Sequence, residues 1–323
     1  MNSEAWITMW VIICLFIFLL LGGFVFSLIY TMSVSKYLFT IQLVRDSKSK
    51  WGRECSDTTN IEQVKMYKEG IEFSKQFKVK DVSIVSEGFK LCGQYIDSNS
   101  DKCVIVVPGR TESLLYSYYF AIPYQKLGFN VLVIDNRSHG ESEGKYDSIG
   151  QQEYKDIRNW ISFATNTLHN KSFVLHGICI GAATCLYTIT YPEAPKNIIA
   201  FISDGMDTTF KENFKNHVIA LHHPTFPIVN EVMYYLKKYG GADGVHNGPI
   251  FHINNIGIPI LFFYSKEDKF VTKEMANKLY EKCSSKDKKI VWFDHGAHSH
   301  LRINAENKYD KEIEIFLKEK KVI

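Results

Sequence analysis

One cysteine stands where a reactive thiol would be built. Phe173 to Leu175 is an apolar run and Gly181 to Thr184 a run of small residues, joined through Gly177-Ile178-Cys179-Ile180-Gly181. Apolar residues followed at once by small ones read as a buried strand turning sharply into a helix. Such a turn forces its central residue into a strained backbone conformation. Neighbouring chain passes so close that the flanking positions favour glycine. The turn also lifts the central side chain above the sheet, at a helix N-terminus whose partial positive charge favours an anion. The spacing is that of a G-x-S-x-G nucleophile turn with sulfur in place of oxygen. A free cysteine is commonly a small buried hydrophobe; the signals on either side of Cys179 make it a candidate nucleophile.

A nucleophile of this kind needs a base within hydrogen-bond reach and a group that orients the base. Histidines cluster at His295, His298 and His300, ahead of a helical stretch at Tyr309 to Leu317. Two acids, Glu267 and Asp268, follow the apolar run Ile258 to Phe263. The histidine cluster has two competing readings. One is a solvated loop. The other is a zinc site, but no carboxylate or thiol set completes the ligands, so no metal is expected.

These groups need a scaffold. From Asp81 onward short apolar runs alternate with helical stretches. Val82 to Val85 and Leu91 to Ile96 read as an opening hairpin around Glu87-Gly88. Strands are then expected at Cys103 to Val107, Val131 to Ile134, Phe173 to Leu175, Ile198 to Ile202, Ile258 to Phe263 and Ile290 to Trp292. Continuous apolar runs separated by helices predict an α/β fold with a mostly parallel sheet covered on both faces. Sites in such sheets lie at the carboxyl ends of the strands. Residues about 208–256 hold two helical pieces, Lys211 to Leu221 and Val229 to Lys238, and a glycine-rich break at Gly240 to Gly244. That is too long for an ordinary connection and is placed as a lid would be.

The N-terminus is different in kind. Ala5 to Met32 is uncharged and almost wholly apolar. It exceeds the roughly 20 residues that cross a bilayer and is too long for a signal-peptide core of about 7–15. With no basic residue before it and no A-x-A site after it, it reads as an uncleaved single-pass anchor. Lys36, Arg45, Lys48, Lys50 and Arg53 follow the span, while the tail carries Glu4. The positive-inside rule therefore puts the large domain in the cytoplasm. The expected organisation is an anchor over 1–35, a juxtamembrane helical linker over 36–80 and a catalytic domain over 81–323.

Composition agrees. A formal net charge of +3 over 323 residues gives no argument for nucleic acid as a partner. The seven cysteines are dispersed with no C-x-x-C pair, which suits a reducing compartment.

In order along the chain stand Pro108-Gly109-Arg110-Thr111-Glu112-Ser113, Asp135-Asn136-Arg137-Ser138-His139-Gly140-Glu141-Ser142-Glu143-Gly144, the Gly177 to Gly181 turn, Phe263 to Val271 with Asp268, and His295-Gly-Ala-His298-Ser-His300. Taken together these blocks resemble the α/β-hydrolase superfamily over roughly residues 80 to 320. The likeness is to bacterial membrane-anchored hydrolases of the serine-aminopeptidase-like and lysophospholipase-like group. The resemblance implies an α/β-hydrolase fold with nucleophile, acid and histidine in that order. It selects Asp268 over Glu267 as the acid. It selects His298 as the base, with His295 and His300 as competitors. It assigns the oxyanion-hole N–H groups to Arg110 and Ile180, with Pro108 where the wider superfamily commonly has histidine. Arg110 is left either to pair with Glu112 or to face an anionic substrate group. Asp135, Arg137 and His139 are expected to brace loops.

Cys179 departs from the serine of most relatives and is similar to the dienelactone-hydrolase branch. A thiol paired with histidine forms an acyl-thioester readily. The expected activity is hydrolysis of carboxylic esters or thioesters, on a small-molecule or lipid-like acyl ester, without a cofactor. Two other classes fit the same residues: a binding protein that kept the fold without the reaction, and an acyltransferase that passes the acyl group to an alcohol or amine.

Overall fold

The apolar runs form eight strands of one sheet. In the computed structural model, which describes residues 3–46, 50–55 and 57–323, they are β1 (Val79–Ser86), β2 (Phe89–Ile96), β3 (Lys102–Val107), β4 (Asn130–Ile134), β5 (Ser172–Ile178), β6 (Ile198–Asp204), β7 (Ile260–Ser265) and β8 (Lys288–Phe293). The N-terminal Met1 and Asn2, and Lys48 of the basic run expected after the span, lie outside the described residues. The strand order is β1-β2-β4-β3-β5-β6-β7-β8. β1, β2 and β4 pair antiparallel, and every pair from β4 to β8 is parallel. The β1–β2 hairpin turns at Glu87 and Gly88, both with positive φ (50° and 84°), the backbone a tight two-residue hairpin requires. β7 starts two residues later than the apolar run, at Ile260, because Pro259 has no N–H to give the ladder.

β4 and β7 are buried along their whole length and β3 and β5 at all but their first residue, and alternate residues feed opposite layers. Ile105, Val107 and Leu175 point into one core with Trp160 and Phe262. Val104, Val106 and Val174 point into the other with Tyr118, Phe120 and Tyr309. The covering helices are α2 (Ile61–Ser74), α3 (Leu114–Lys126), α4 (Glu153–Asn166), α5 (Ile180–Thr190), α8 (Lys273–Lys282), the short α9 (Leu301–Asn304) and α10 (Glu306–Glu319). In the 208–256 insertion α6 (Phe210–Ala220) and α7 (Ile228–Tyr235) are joined by a loop, and α7 runs into a single π-turn, Leu236–Gly240.

The N-terminal helix α1 (Ser3–Leu43) runs on past residue 35. No described side chain from Trp6 to Tyr30 is buried, whereas Thr31, Ser35, Leu38 and Phe39 are. Those four positions recur at helical spacing, so one face of the last turns packs on the domain. Leu38 and Phe39 of this face belong to a third apolar cluster with Phe214, Ile228, Val232 and Ile180, against which Cys179 packs. The chain after α1 is also laid on the domain. Arg45 donates to the carbonyls of Gly140 (2.6 Å) and Ser142 (2.8 Å), and Arg53 pairs with Asp135 at 3.0 Å.

Candidate active site

Cys179 stands between the end of β5 and the start of α5, with φ 53° and ψ −119°. A non-glycine residue there is strained by about 1–3 kcal/mol, which the surrounding packing must over-determine. The flanking glycines show why the bend needs them. A Cβ on Gly177 would come within 2.5 Å of Ala182 Cα, and one on Gly181 within 2.2 Å of the Val107 carbonyl. The Cys179 N–H donates to the Asp204 carbonyl (2.8 Å), tying the bend to β6.

Asp268 sits on the turn after β7. Its Oδ1 accepts the N–H groups of Phe270 (2.8 Å) and Val271 (2.9 Å), which fixes the carboxylate's direction. Its Oδ2 lies 2.6 Å from Nδ1 of His298. An ionised carboxylate only accepts, so Nδ1 carries the ring proton and Nε2 is the basic nitrogen. Nε2 is buried without a hydrogen bond of ordinary geometry. The Cys179 side chain lies beside the ring and acts on its charge. Burial works against a charged His298, yet Asp268 and Cys179 together hold its proton affinity well above the usual imidazole value. Burial pushes Asp268 up, but the His298 charge and the hydrogen bonds bring it below the ordinary carboxylate value.

The other histidines are engaged elsewhere. His295 is exposed and pairs with Glu267 at 3.1 Å. His300 Nδ1 lies 2.7 Å from the His298 carbonyl, a bond in which the ring donates. Of the two acids and three histidines considered, Asp268 and His298 are thus the pair brought together next to Cys179. Among the described residues no three His, Cys, Asp or Glu side chains gather as a metal site.

The Pro108–Ser113 turn passes over the thiol, and a Cβ on Gly109 would stand 3.4 Å from Cys179 Cβ. Ile180 is the first residue of α5, so its N–H has no partner inside the helix. Arg110 and Glu112 do not form an ion pair. The Glu112 carboxyl turns under the turn and accepts the Gly109 N–H at 3.0 Å. Burial raises its proton affinity to about 7. Arg110 Nε is buried without a partner, and the guanidinium feels the Cys179 side chain.

The 135–144 loop holds this turn. His139 accepts the Thr111 N–H (3.0 Å) on Nε2, and Asp135 Oδ1 accepts that of Leu114 (2.8 Å). Asn136 donates to the Pro108 carbonyl at 3.1 Å. Burial lowers the proton affinity of His139, as an accepting neutral ring requires. Trp51 stacks on that ring, centroids 4.9 Å apart. Arg137 makes two 2.7 Å bonds to Asp156, anchoring the loop to α4.

Other neighbours were not singled out in the sequence. Gly205, with φ +66°, leaves the space the His298 ring fills: a Cβ there would be 3.0 Å from Cε1. His217 of α6 stacks on Phe270 at 3.7 Å, and Phe270 meets the His298 ring edge-on. Beneath the bend runs a buried chain of polar groups, Tyr124–His176–Tyr309–Asp204. His176 stands in sequence as a polar residue at the end of an apolar run, but its partners come from α3 and α10, and Tyr309 carries the chain on to Asp204 of β6. A cavity of about 860 Å³ between Arg45, Lys90 and Lys145 holds none of the groups at Cys179.

Two family profiles match the chain. One described as alpha/beta hydrolase fold matches residues 102–241, and one described as Serine aminopeptidase, S33 matches residues 250–303. The chain is 26% identical over 248 residues to the uncharacterized protein YqkD of Bacillus subtilis, covering 76% of this chain and 81% of that one. It is 24% identical over 282 residues to the uncharacterized membrane protein YNL320W of Saccharomyces cerevisiae, covering 86% and 89%. In structure it is similar to the Pyrococcus furiosus esterase Pf2001, with TM-score 0.63, 24% identity, and coverage of 77% of this chain and 93% of that one.

Proposed function

The chain belongs to the α/β-hydrolase superfamily, and from that membership we propose that it is a membrane-anchored carboxylic ester or thioester hydrolase acting through Cys179, His298 and Asp268. The observation that carries the reading is the 2.6 Å bond from His298 Nδ1 to Asp268, which leaves Nε2 as the basic nitrogen beside the thiol.

The reaction follows from that geometry. His298 Nε2 takes the thiol proton, and the sulfur left beside the charged ring attacks the substrate carbonyl, forming the C–S bond. The oxyanion is stabilised by the N–H groups of Arg110 and Ile180, each such donor being worth about 2.7–4 kcal/mol of barrier. The C–O bond breaks, the alcohol leaves with the proton from His298, and an acyl-thioester remains. Water, deprotonated by the same ring, then attacks the thioester; the acid departs and the thiol is restored. Asp268 stays ionised throughout and holds the ring's tautomer.

The Pyrococcus neighbour shares the fold; the ester assignment here rests on the thiol–imidazole pair. Anchoring through α1 is supported by its exposed apolar length and by the yeast relative's description as a membrane protein. The basic residues after the span favour a cytoplasmic domain.

The test is labelling and turnover together. The full chain in detergent hydrolyses short activated acyl esters, iodoacetamide stops turnover as one alkyl group is added at Cys179, and Cys179→Ala loses activity by about 10³-fold or more. Full turnover by Cys179→Ala overturns the assignment.

A further inference from the structure

We propose that the tip of the 208–256 insertion, between α6 and α7, is seated in the interfacial layer of the bilayer that α1 crosses, so that the site receives acyl esters drawn from that membrane. This rests on the membrane-anchored ester-hydrolase reading and names where its substrate comes from.

The first argument is one of level. From Trp6 to Ile29 no described side chain of α1 is buried, a length of about 24 residues or roughly 36 Å. A hydrocarbon core is about 30 Å thick. Once that core is filled, only a few ångströms remain, so the membrane face nearest the domain lies close to Tyr30. Tyrosine is the residue type that favours this boundary, and Lys36, the first cation after the span, stands further along on the domain side.

The second argument is contact. Tyr30 Oη lies 3.2 Å from Nδ1 of His223, a residue of the tip itself. Ser35 donates to Glu231 of α7 at 2.5 Å. The Phe39 ring lies 5.7 Å from that of Tyr235 and 5.9 Å from that of Tyr239. The insertion therefore runs alongside the last turns of α1 with its tip toward the membrane. There it exposes Ile219, Leu221 and Phe226, the last by 76%. Moving such side chains from water into an apolar layer is favourable. The bilayer that α1 enters at the same height is the surface that would cover them.

The third argument links tip to chemistry. The apolar cluster that joins Phe39 to Val232, Ile228 and Phe214 continues to Ile180 and touches Cys179. The insertion that carries the tip therefore packs, through these side chains, against the residue next to the nucleophile and against Cys179 itself.

A photoreactive benzoylphenylalanine placed singly at Phe226, Phe18 or Val85 of the full chain, reconstituted in phosphatidylcholine–phosphatidylglycerol vesicles, tests this. All three positions are exposed by 73–76%, so the fold tolerates the analogue. After irradiation, phospholipid adducts are expected at Phe18 and at Phe226, with Phe226 on the order of tenfold above Val85. An adduct at Phe18 but none at Phe226 overturns the proposal and leaves the anchor standing. Equal labelling of Phe226 and Val85 overturns it too. No adduct at Phe18 removes the anchor reading and this proposal with it. The readout needs no turnover, so a failure of the hydrolase reading is seen separately.

A paired measurement uses Phe226→Asp. It is expected to keep its rate on a water-soluble ester and lose about tenfold on an ester embedded in vesicles. Equal rates on both substrates count against the proposal.

Discussion

His298 Nδ1 and Asp268 Oδ2 are 2.6 Å apart although thirty positions separate the residues in the chain. β7 delivers one and the loop after β8 delivers the other, and because these strands are parallel neighbours both side chains emerge at the same end of the sheet. The bond decides which nitrogen carries the proton, and with it which nitrogen faces Cys179.

Asp268→Asn tests that relationship. The carboxamide can donate to Nδ1 and so favours the wrong tautomer, which lowers kcat by about 10³–10⁴-fold. Removing the carboxylate also removes a main support of the charged ring. The His298 proton affinity, held well above the usual value in the native site, therefore falls, and the acid limb of the kcat/KM profile moves to lower pH. Stability shifts in step. The native ring contributes fully below its unfolded pKa and loses that contribution as pH rises through its raised folded pKa. Asp268, whose folded value is depressed, contributes above its unfolded pKa and loses this as pH falls through the folded one. A profile from pH 5 to 9 that drops without moving would show that Asp268 does not set the ring's charge.

Gly205→Ala probes the space beside the same ring. The added methyl meets His298 Cε1 at 3.0 Å and sits on a backbone with φ +66°. The left-handed backbone costs about 1–2 kcal/mol. Displacing the ring by a fraction of an ångström to an ångström lowers kcat by roughly 10²-fold. Thiol alkylation rate and kcat should fall together while the protein remains folded by circular dichroism. An unchanged kcat would mean the ring has room to move without consequence.

The strands, the bend at Cys179 and the long N-terminal helix were legible because each is a local pattern: an apolar run, two glycines around a thiol, a long uncharged stretch. The choice among His295, His298 and His300 needed a family likeness, because nothing in the spacing alone says which ring meets Asp268. The fate of Arg110 and Glu112 was open for a different reason. Sequence proximity suggests a pair, whereas the backbone of the turn offers Glu112 the Gly109 N–H first. The packing of α1 on α7 was hidden as well: positions 31, 35, 38 and 39 are apolar or small like those around them, and only the partner reveals them as a face. The buried polar chain ending at Asp204 draws on four elements far apart in sequence, and no local pattern announces it.

That chain makes a last prediction. Tyr309 donates to Asp204 Oδ2 at 2.7 Å, and its oxygen lies 3.0 Å from His176 Nε2, while His176 Nδ1 lies 3.0 Å from the Tyr124 hydroxyl. Burial lowers His176 to about 3, so the ring is neutral and owns one proton. With the Tyr309 hydrogen spent on Asp204, the ring proton sits on Nε2, and Nδ1 accepts from Tyr124. Asp204 closes the chain with Oδ1 unpartnered, and burial raises its carboxyl to about 7. The folded protein thus binds a proton that the unfolded chain releases near 3.8, the ordinary aspartate value. The associated stability is complete below that value and is lost as pH rises through about 7. Asp204→Asn keeps an acceptor for Tyr309 and removes the titration. In thermal scans of the full chain in detergent, the wild type should lose ground to the variant between pH 4 and pH 7, by on the order of 2–4 kcal/mol, and by nothing further above that. Other buried acids, Glu112 among them, titrate in both proteins, so the difference between the two curves isolates Asp204. Curves that stay parallel from pH 4 to 8 would show that this carboxyl keeps one charge state through folding.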